Sequence, residues 1–153
     1  LLRIEILDTN SGEFKWLDVK DVEFAYRWSE FKKMKDVIIW SCTMKISKNP
    51  NDATADPKKL YEFRQERQPQ GLTTGSFFKN PEGNFAGKII EELGLLGYSI
   101  GGACISKKHG NFIENKNNAT SKNIEDLIVY IQELVKEKRG ISLETEVKFI
   151  GEK

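Results

Sequence analysis

Residues 121–140 read Ser-Lys-Asn-Ile-Glu-Asp-Leu-Ile-Val-Tyr-Ile-Gln-Glu-Leu-Val-Lys-Glu-Lys-Arg-Gly. Ile124, Leu127, Ile128, Ile131, Leu134 and Val135 recur at the helical period and form one apolar stripe. The pattern predicts a helix over about 122–138. Ser121 or Asn123 can cap its start, and Glu125 and Asp126 suit the positive end of its dipole. Lys136, Lys138 and Arg139 suit the other end, and Gly140 is a natural stop. A helix with a single apolar stripe must lay it on another layer. Just upstream, residues 99–106 and 110–115 read as two strands joined by Lys107-Lys108-His109, and Val147 and Phe149 mark a final strand downstream.

Further towards the N-terminus, Ala86, Ile89, Ile90 and Leu93 share one helical face, and Gly94 ends that short helix. Asp56-Pro57 reads as an N-cap followed by proline at the first helical position. That helix runs to about Arg67, with Leu60 and Phe63 expected on its buried side. Arg64 and Arg67 lie one turn apart and share a face. Residues 48–56 are polar and turn-rich and are the expected domain boundary. Before them, residues 1–7 alternate apolar and polar, 9–12 make a turn, and 13–18 look like the hairpin partner. The run Val37-Ile38-Ile39-Trp40 opens a strand over 37–47 and suggests burial on both faces. The order is mixed, without repeats or βα regularity, so the fold class is α+β.

The 24 basic and 23 acidic residues nearly cancel, leaving a formal charge of +1. A general binder of nucleic acid or of a membrane surface would show a basic excess. No apolar run approaches the ~20 residues of a membrane helix. Cys42 and Cys104 lack metal-ligand spacing and are expected as buried free thiols in a reducing compartment. With one histidine in the chain, no zinc cluster and no metal site are expected.

Candidate chemistry concentrates in Gly75-Ser76-Phe77-Phe78-Lys79-Asn80-Pro81. Glycine lets backbone approach a ligand, and Pro81 holds Asn80 extended. Tyr26-Arg27-Trp28-Ser29 sets an arginine between large aromatics, where it could stack or clamp a carboxylate. Glu144 and Glu146 fall on one face of an extended segment. Taken singly, each of these has an ordinary structural reading as turn, stacked surface arginine or exposed edge.

Together they resemble a known family. Gly75 to Pro81, Ala86 to Glu91, Ile100 to Ala103, Ser106 to Phe112, Asn115, Ala119-Thr120 and Leu143 to Val147 stand in the order seen in UDP-N-acetylenolpyruvoylglucosamine reductases. The resemblance covers nearly the whole chain. It implies a C-terminal substrate-binding domain over 51–153, with a mixed or antiparallel sheet and packed helices. Residues 1–50 would be the end of an α+β FAD-binding domain. In that family NADPH reduces FAD, and the flavin passes hydride to UDP-N-acetylglucosamine enolpyruvate to give UDP-N-acetylmuramate for the bacterial cell wall. The resemblance implies Ser76 as the proton donor, Arg27 and Glu146 as its catalytic partners, and Asn80, Lys79, Arg64, Arg67 and His109 as substrate contacts. It also implies a cytoplasmic enzyme.

The family's glycine-rich segments for the FAD pyrophosphate are not in this chain. Because the sequence opens on Leu1 within a strand pattern, an upstream segment is expected. The flavin-binding half would then be supplied in cis or in trans, and the chain alone would turn over little substrate. A different class of function also stays open: a stand-alone module that holds a UDP-sugar without redox chemistry. Two smaller departures, Cys104 where a polar residue is common and Gly110 where alanine is common, read as mild.

Overall fold

The computed structural model describes residues 1–46 and 56–151, and it divides into two compact units, Leu1–Thr54 and Ala55–Lys153. The polar stretch read as a domain boundary, residues 48–56, lies outside the described residues except for Asp56.

The first unit is built on a three-stranded antiparallel sheet in the order β2-β1-β5, with β1 at Arg3–Asp8, β2 at Phe14–Asp18 and β5 at Val37–Thr43. Ile4 and Ile6 on the central strand are buried, as the alternating pattern requires. The β1–β2 turn is fixed by Asp8, whose Oδ1 accepts the Asn10 and Ser11 N–H groups at 3.0 and 3.1 Å. Gly12 completes it at φ 72°. A two-residue pairing of β3 (Phe24–Ala25) with β4 (Trp28–Ser29) makes a small separate hairpin. All three tryptophans, Trp16, Trp28 and Trp40, belong to this unit. Burial of β5 on both faces does not hold within it: Ile38, Ile39 and Trp40 are 50%, 53% and 62% exposed. An apolar run allows two-sided burial, but among the described residues this unit contributes only short 3-10 turns beside its sheets and no α-helix to lie across them. Cys42, expected to be buried, is exposed on the same strand.

The second unit is the α+β domain. Its sheet runs β6-β9-β8-β7, antiparallel throughout, from β6 (Thr73–Ser76), β7 (Ser99–Ile100), β8 (Ala103–Ile105) and β9 (Phe112–Asn115). Helices α1 (Pro57–Arg67), α2 (Ala86–Glu92) and α3 (Ser121–Arg139) accompany it. The stripe of α3 does what its period predicts: Leu127, Ile128, Ile131 and Val135 are buried, with Ile124 and Leu134 partly so. They join Phe77, Phe78, Ile90, Ala103, Ile105, Ile113 and Leu143 in one core. The cap of α3 is Thr120, one residue before the earlier of the two expected caps, Ser121 and Asn123. Its Oγ1 accepts the Asn123 N–H at 3.2 Å, while the Asn123 Oδ1 accepts the Thr120 N–H at 3.1 Å. This reciprocal pair satisfies two otherwise orphaned donors. Gly140 ends the helix at φ 68°.

Three expectations fail here: the single strand read over 99–106 turns back at Gly101-Gly102 and is two antiparallel strands, β7 and β8. Leu60 and Phe63 are 49% and 51% exposed, and α1 has no buried residue. Its apolar residues share a face, but the sequence does not say what covers it. The final strand is reduced to a single bridge between Thr145 and Phe78.

Candidate functional site

The Ser76 strip begins where β6 leaves the regular ladder. Ser76 pairs with Phe112, and the register slips between Thr73 and Ser76. Gly75 sits in that slip at φ 89°, a backbone state that side-chain-bearing residues rarely adopt. A Cβ there would meet nothing, so the glycine is needed for its torsion and not for space.

Beyond Ser76 the strip is held along both edges. On one side Phe77 N–H donates to Asn111 O at 3.1 Å. On the other, Glu146 N–H donates to Phe77 O at 2.7 Å, and Lys79 N–H donates to Glu144 O at 2.8 Å. The Phe77 peptide thus ties the segment of Glu146 to the residue after Ser76. These two predicted catalytic residues come together through one backbone unit, and both are partly exposed.

Lys79 belongs to the same strip, and its ammonium is paired with the Glu144 carboxylate. Asn80 follows it. Its Oδ1 accepts the Ala86 N–H at 3.1 Å and so caps α2, whose own N-cap, Phe85, has no side-chain acceptor. The NH2 end of Asn80 is the group it can offer a ligand.

His109 lies two residues before Asn111, which pairs with the strip. Its Nδ1 accepts the Asn111 N–H at 3.1 Å, and its ring meets Phe112 edge-on, centroids 4.7 Å apart. That bond needs a lone pair on Nδ1, so the proton of the neutral ring sits on Nε2. Burial holds the imidazole below its usual pKa, and the charge of Glu91 offsets this only in part. The unfolded chain takes up a proton near the ordinary value of about 6.5, and the folded chain resists until lower pH. Stability is therefore fully present above that value and falls as pH drops towards the folded pKa. Thermal melts between pH 7 and pH 5 are expected to show this slope, since the chain has one histidine. A His109→Gln variant should lose it, and an unchanged slope would refute the assignment.

Arg64 and Arg67 are exposed on α1, the latter with its guanidinium 4.5 Å from the Phe63 ring centre. The helix reaches the His109 loop through Lys108, whose Nζ donates to Gln65 O at 3.3 Å. Arg27 belongs to the first unit. It is the second residue of the β3–β4 turn, exposed, at φ 54°, and its carbonyl accepts the Lys32 Nζ at 2.6 Å. A non-glycine residue in that region costs roughly 1–2 kcal/mol, so the tip of this hairpin is a strained place to keep a guanidinium.

The structure leaves no room for a side chain at Gly110. A Cβ on it would stand 2.4 Å from the Gly87 carbonyl, in the first turn of α2. An alanine here would force that turn to move. Asn111, carried in the sequence reading only as part of a motif, proves to be one of two buried polar residues among the described residues. The available signal was a polar side chain directly before the apolar pair Phe112-Ile113. An apolar cleft of about 490 Å³ between Phe77, Ile124, Val147 and Phe149 includes none of the predicted site residues in its lining. No group of His, Cys, Asp and Glu among the described residues could hold a metal ion, and none of the described helices is long and apolar enough to cross a membrane.

Fold and strip together define an α+β domain that presents a serine and an asparagine from one doubly pinned strip and a glutamate from the segment paired with it. Residues 68–150 match the family model described as UDP-N-acetylenolpyruvoylglucosamine reductase, C-terminal domain. A protein of that name from Prochlorococcus marinus subsp. pastoris is 44% identical over 153 residues, covering 99% of this chain and 52% of the relative. One from Bacillus licheniformis is 38% identical over 144 residues, covering 93% of this chain and 78% of the relative. The crystal structure of UDP-N-acetylenolpyruvylglucosamine reductase from Thermus caldophilus superposes with a TM-score of 0.80 at 30% identity, over 97% of this chain and 52% of that one. The chain belongs to the UDP-N-acetylenolpyruvoylglucosamine reductase family. It spans about half the length of most of the curated relatives it matches.

Proposed function

We propose that this chain is the substrate-handling C-terminal part of a cytoplasmic reductase that converts UDP-N-acetylglucosamine enolpyruvate to UDP-N-acetylmuramate for peptidoglycan. The observation that carries the reading is the Phe77 peptide, which ties Glu146 to the residue after Ser76.

In this reading the electrons come from NADPH through FAD, and the flavin is held outside this chain. The residues present do not make its site: Gly12 is the only glycine in residues 1–54, and it closes the β1–β2 turn. A pyrophosphate cradle needs a glycine-rich loop opening a helix. What the chain contributes is positioning and a proton. The Ser76 hydroxyl donates to the carbon beside the reduced centre, which requires a donor held still in reach of it. Arg27 matches the enolpyruvyl carboxylate by its planar fork of donors. Glu146 orients the serine or a water beside it. Asn80 offers its NH2 to the sugar nucleotide, and Arg64, Arg67, Lys79 and His109 supply the remaining polar contacts.

The test uses the full-length protein with its flavin. In Ser76→Ala, NADPH should reduce the flavin at the unaltered rate. Reoxidation by the enolpyruvyl sugar should slow by about 10²–10⁴-fold, the usual range for losing a positioned acid. Normal reoxidation would refute the role given to Ser76. The missing glycine-rich loop also favours a second reading, a UDP-sugar-binding module without redox chemistry. Stoichiometric flavin bound by this chain would exclude it.

A further inference from the structure

We propose that Asn111 is the positioning residue of the Ser76 strip, its carboxamide standing in for a missing length of β-strand. The proposal rests on the reading of Ser76 as the proton donor.

Asn111 is 4% exposed, too enclosed to meet a substrate. Phe78 N–H donates to its Oδ1 at 2.9 Å, and its Nδ2 donates to Phe78 O at 2.8 Å. A carboxamide carries one acceptor and one donor side by side, as a peptide group does. The pair therefore reproduces the reciprocal exchange that an antiparallel strand would make with Phe78. No backbone is available to do this, because the Asn111 main chain is already committed. Its carbonyl accepts the Phe77 N–H, and its own N–H goes to His109 Nδ1. One residue thus extends the edge of β9 by another step.

With Glu146 and Glu144 holding the opposite edge, the two residues after Ser76 are paired and the hydroxyl has little backbone slack. The chemistry demands asparagine. Leucine has similar bulk but would leave both buried Phe78 groups unpaired. Aspartate keeps the acceptor, loses the donor, and sets one oxygen against another. When protonated, however, it regains an O–H donor.

That last property supplies the test. Reoxidation of the reduced flavin by the enolpyruvyl sugar would be followed against pH in the full-length protein, for Asn111→Asp, Asn111→Ala, Ser76→Ala and the unaltered enzyme. The unaltered profile is needed because His109, which takes the Asn111 N–H, titrates nearby. In Asn111→Asp, kcat at pH 8 is expected to fall about 100-fold, the scale of a misplacement near 1 Å. KM should stay within about twofold, since the residue is not a substrate contact. The loss should shrink as pH falls and the buried carboxyl takes up its proton. Asn111→Ala should be impaired at every pH.

Unaltered kcat in Asn111→Asp at pH 8, with Ser76→Ala inactive, overturns the positioning role alone. Impairment of Asn111→Asp without recovery at low pH also overturns it. Normal reoxidation by Ser76→Ala removes the reading beneath it and the proposal with it. Should the Asn111 variants fail to fold, amide exchange in the unaltered protein decides. The Phe77 and Phe78 N–H groups should exchange as slowly as those of β8 and β9, and rapid exchange of either would overturn the proposal.

Discussion

Replacing Phe78 with alanine is expected to lower stability by about 3–5 kcal/mol, the range for emptying an aromatic site in a close-packed core. Phe78 is 1% exposed and among the largest fully buried side chains, in one core with Ile90, Ile105, Leu127, Ile131 and Val135. Its neighbour Phe77 is 2% exposed. Successive side chains of an extended segment point to opposite faces. Two consecutive buried phenylalanines therefore mean that the strip is enclosed above and below as well as pinned along both edges. A void at Phe78 lies next to that pinned backbone, and collapse into it would drag the peptides that place Ser76. Denaturant titration of Phe78→Ala measures the effect. Phe85→Ala is the control, because Phe85 is 66% exposed and its loss should be near neutral. A cost below about 1 kcal/mol at Phe78, less than most buried truncations cause, would mean that the strip is not part of the core.

Gly102→Ala should cost about 3 kcal/mol, at the upper end for overpacking. The added Cβ would stand 2.3 Å from the Asn117 carbonyl oxygen and 2.5 Å from the Ala119 nitrogen. Both are backbone atoms, so no side chain can swing aside. The loop they belong to is also committed: the Gly102 carbonyl accepts the Lys116 N–H at 3.0 Å, and Asn115 Oδ1 accepts the Ala119 N–H at 2.8 Å. One residue further on, Thr120 opens the capping box of α3. Pushing the loop outward thus disturbs the start of the longest helix. For a unit the size of Ala55–Lys153 the expected fall in melting temperature is about 10–20 °C. Gly71→Ala should be tolerated, since its Cβ would meet only the Glu114 carboxylate at an ordinary 3.6 Å. A melting point for Gly102→Ala equal to that of Gly71→Ala would refute the argument.

What could be seen in the sequence was whatever repeats over a few residues. The stripe of α3 is local, and every residue assigned to it packs inward or partly so. Its cap was expected at Ser121 or Asn123 and falls on Thr120, because all three can accept a backbone hydrogen bond and only the local torsions choose among them. The sheet order β6-β9-β8-β7 was not legible. It depends on which distant segment lies beside Thr73–Ser76, and no period records that. Leu60, Phe63 and the run from Val37 to Trp40 mark faces fit for burial without naming what covers them. The site behaved the same way. Ser76 and Glu146 stood out only when several motifs were taken in order, whereas the bond joining Glu146 to the Phe77 carbonyl is a product of the folded chain. Asn111 carries its meaning in two hydrogen bonds to a residue 33 positions away.

The placement of the tryptophans gives the molecule a built-in optical label. Trp16, Trp28 and Trp40 all report from the first unit, and Ala55–Lys153 contains no indole at all. Selectively excited emission therefore follows the β2-β1-β5 unit alone, while the far-ultraviolet helix signal comes chiefly from α1, α2 and α3. Comparing the two traces during unfolding separates the units without any added dye, since coincident transitions by different probes mark a single cooperative event.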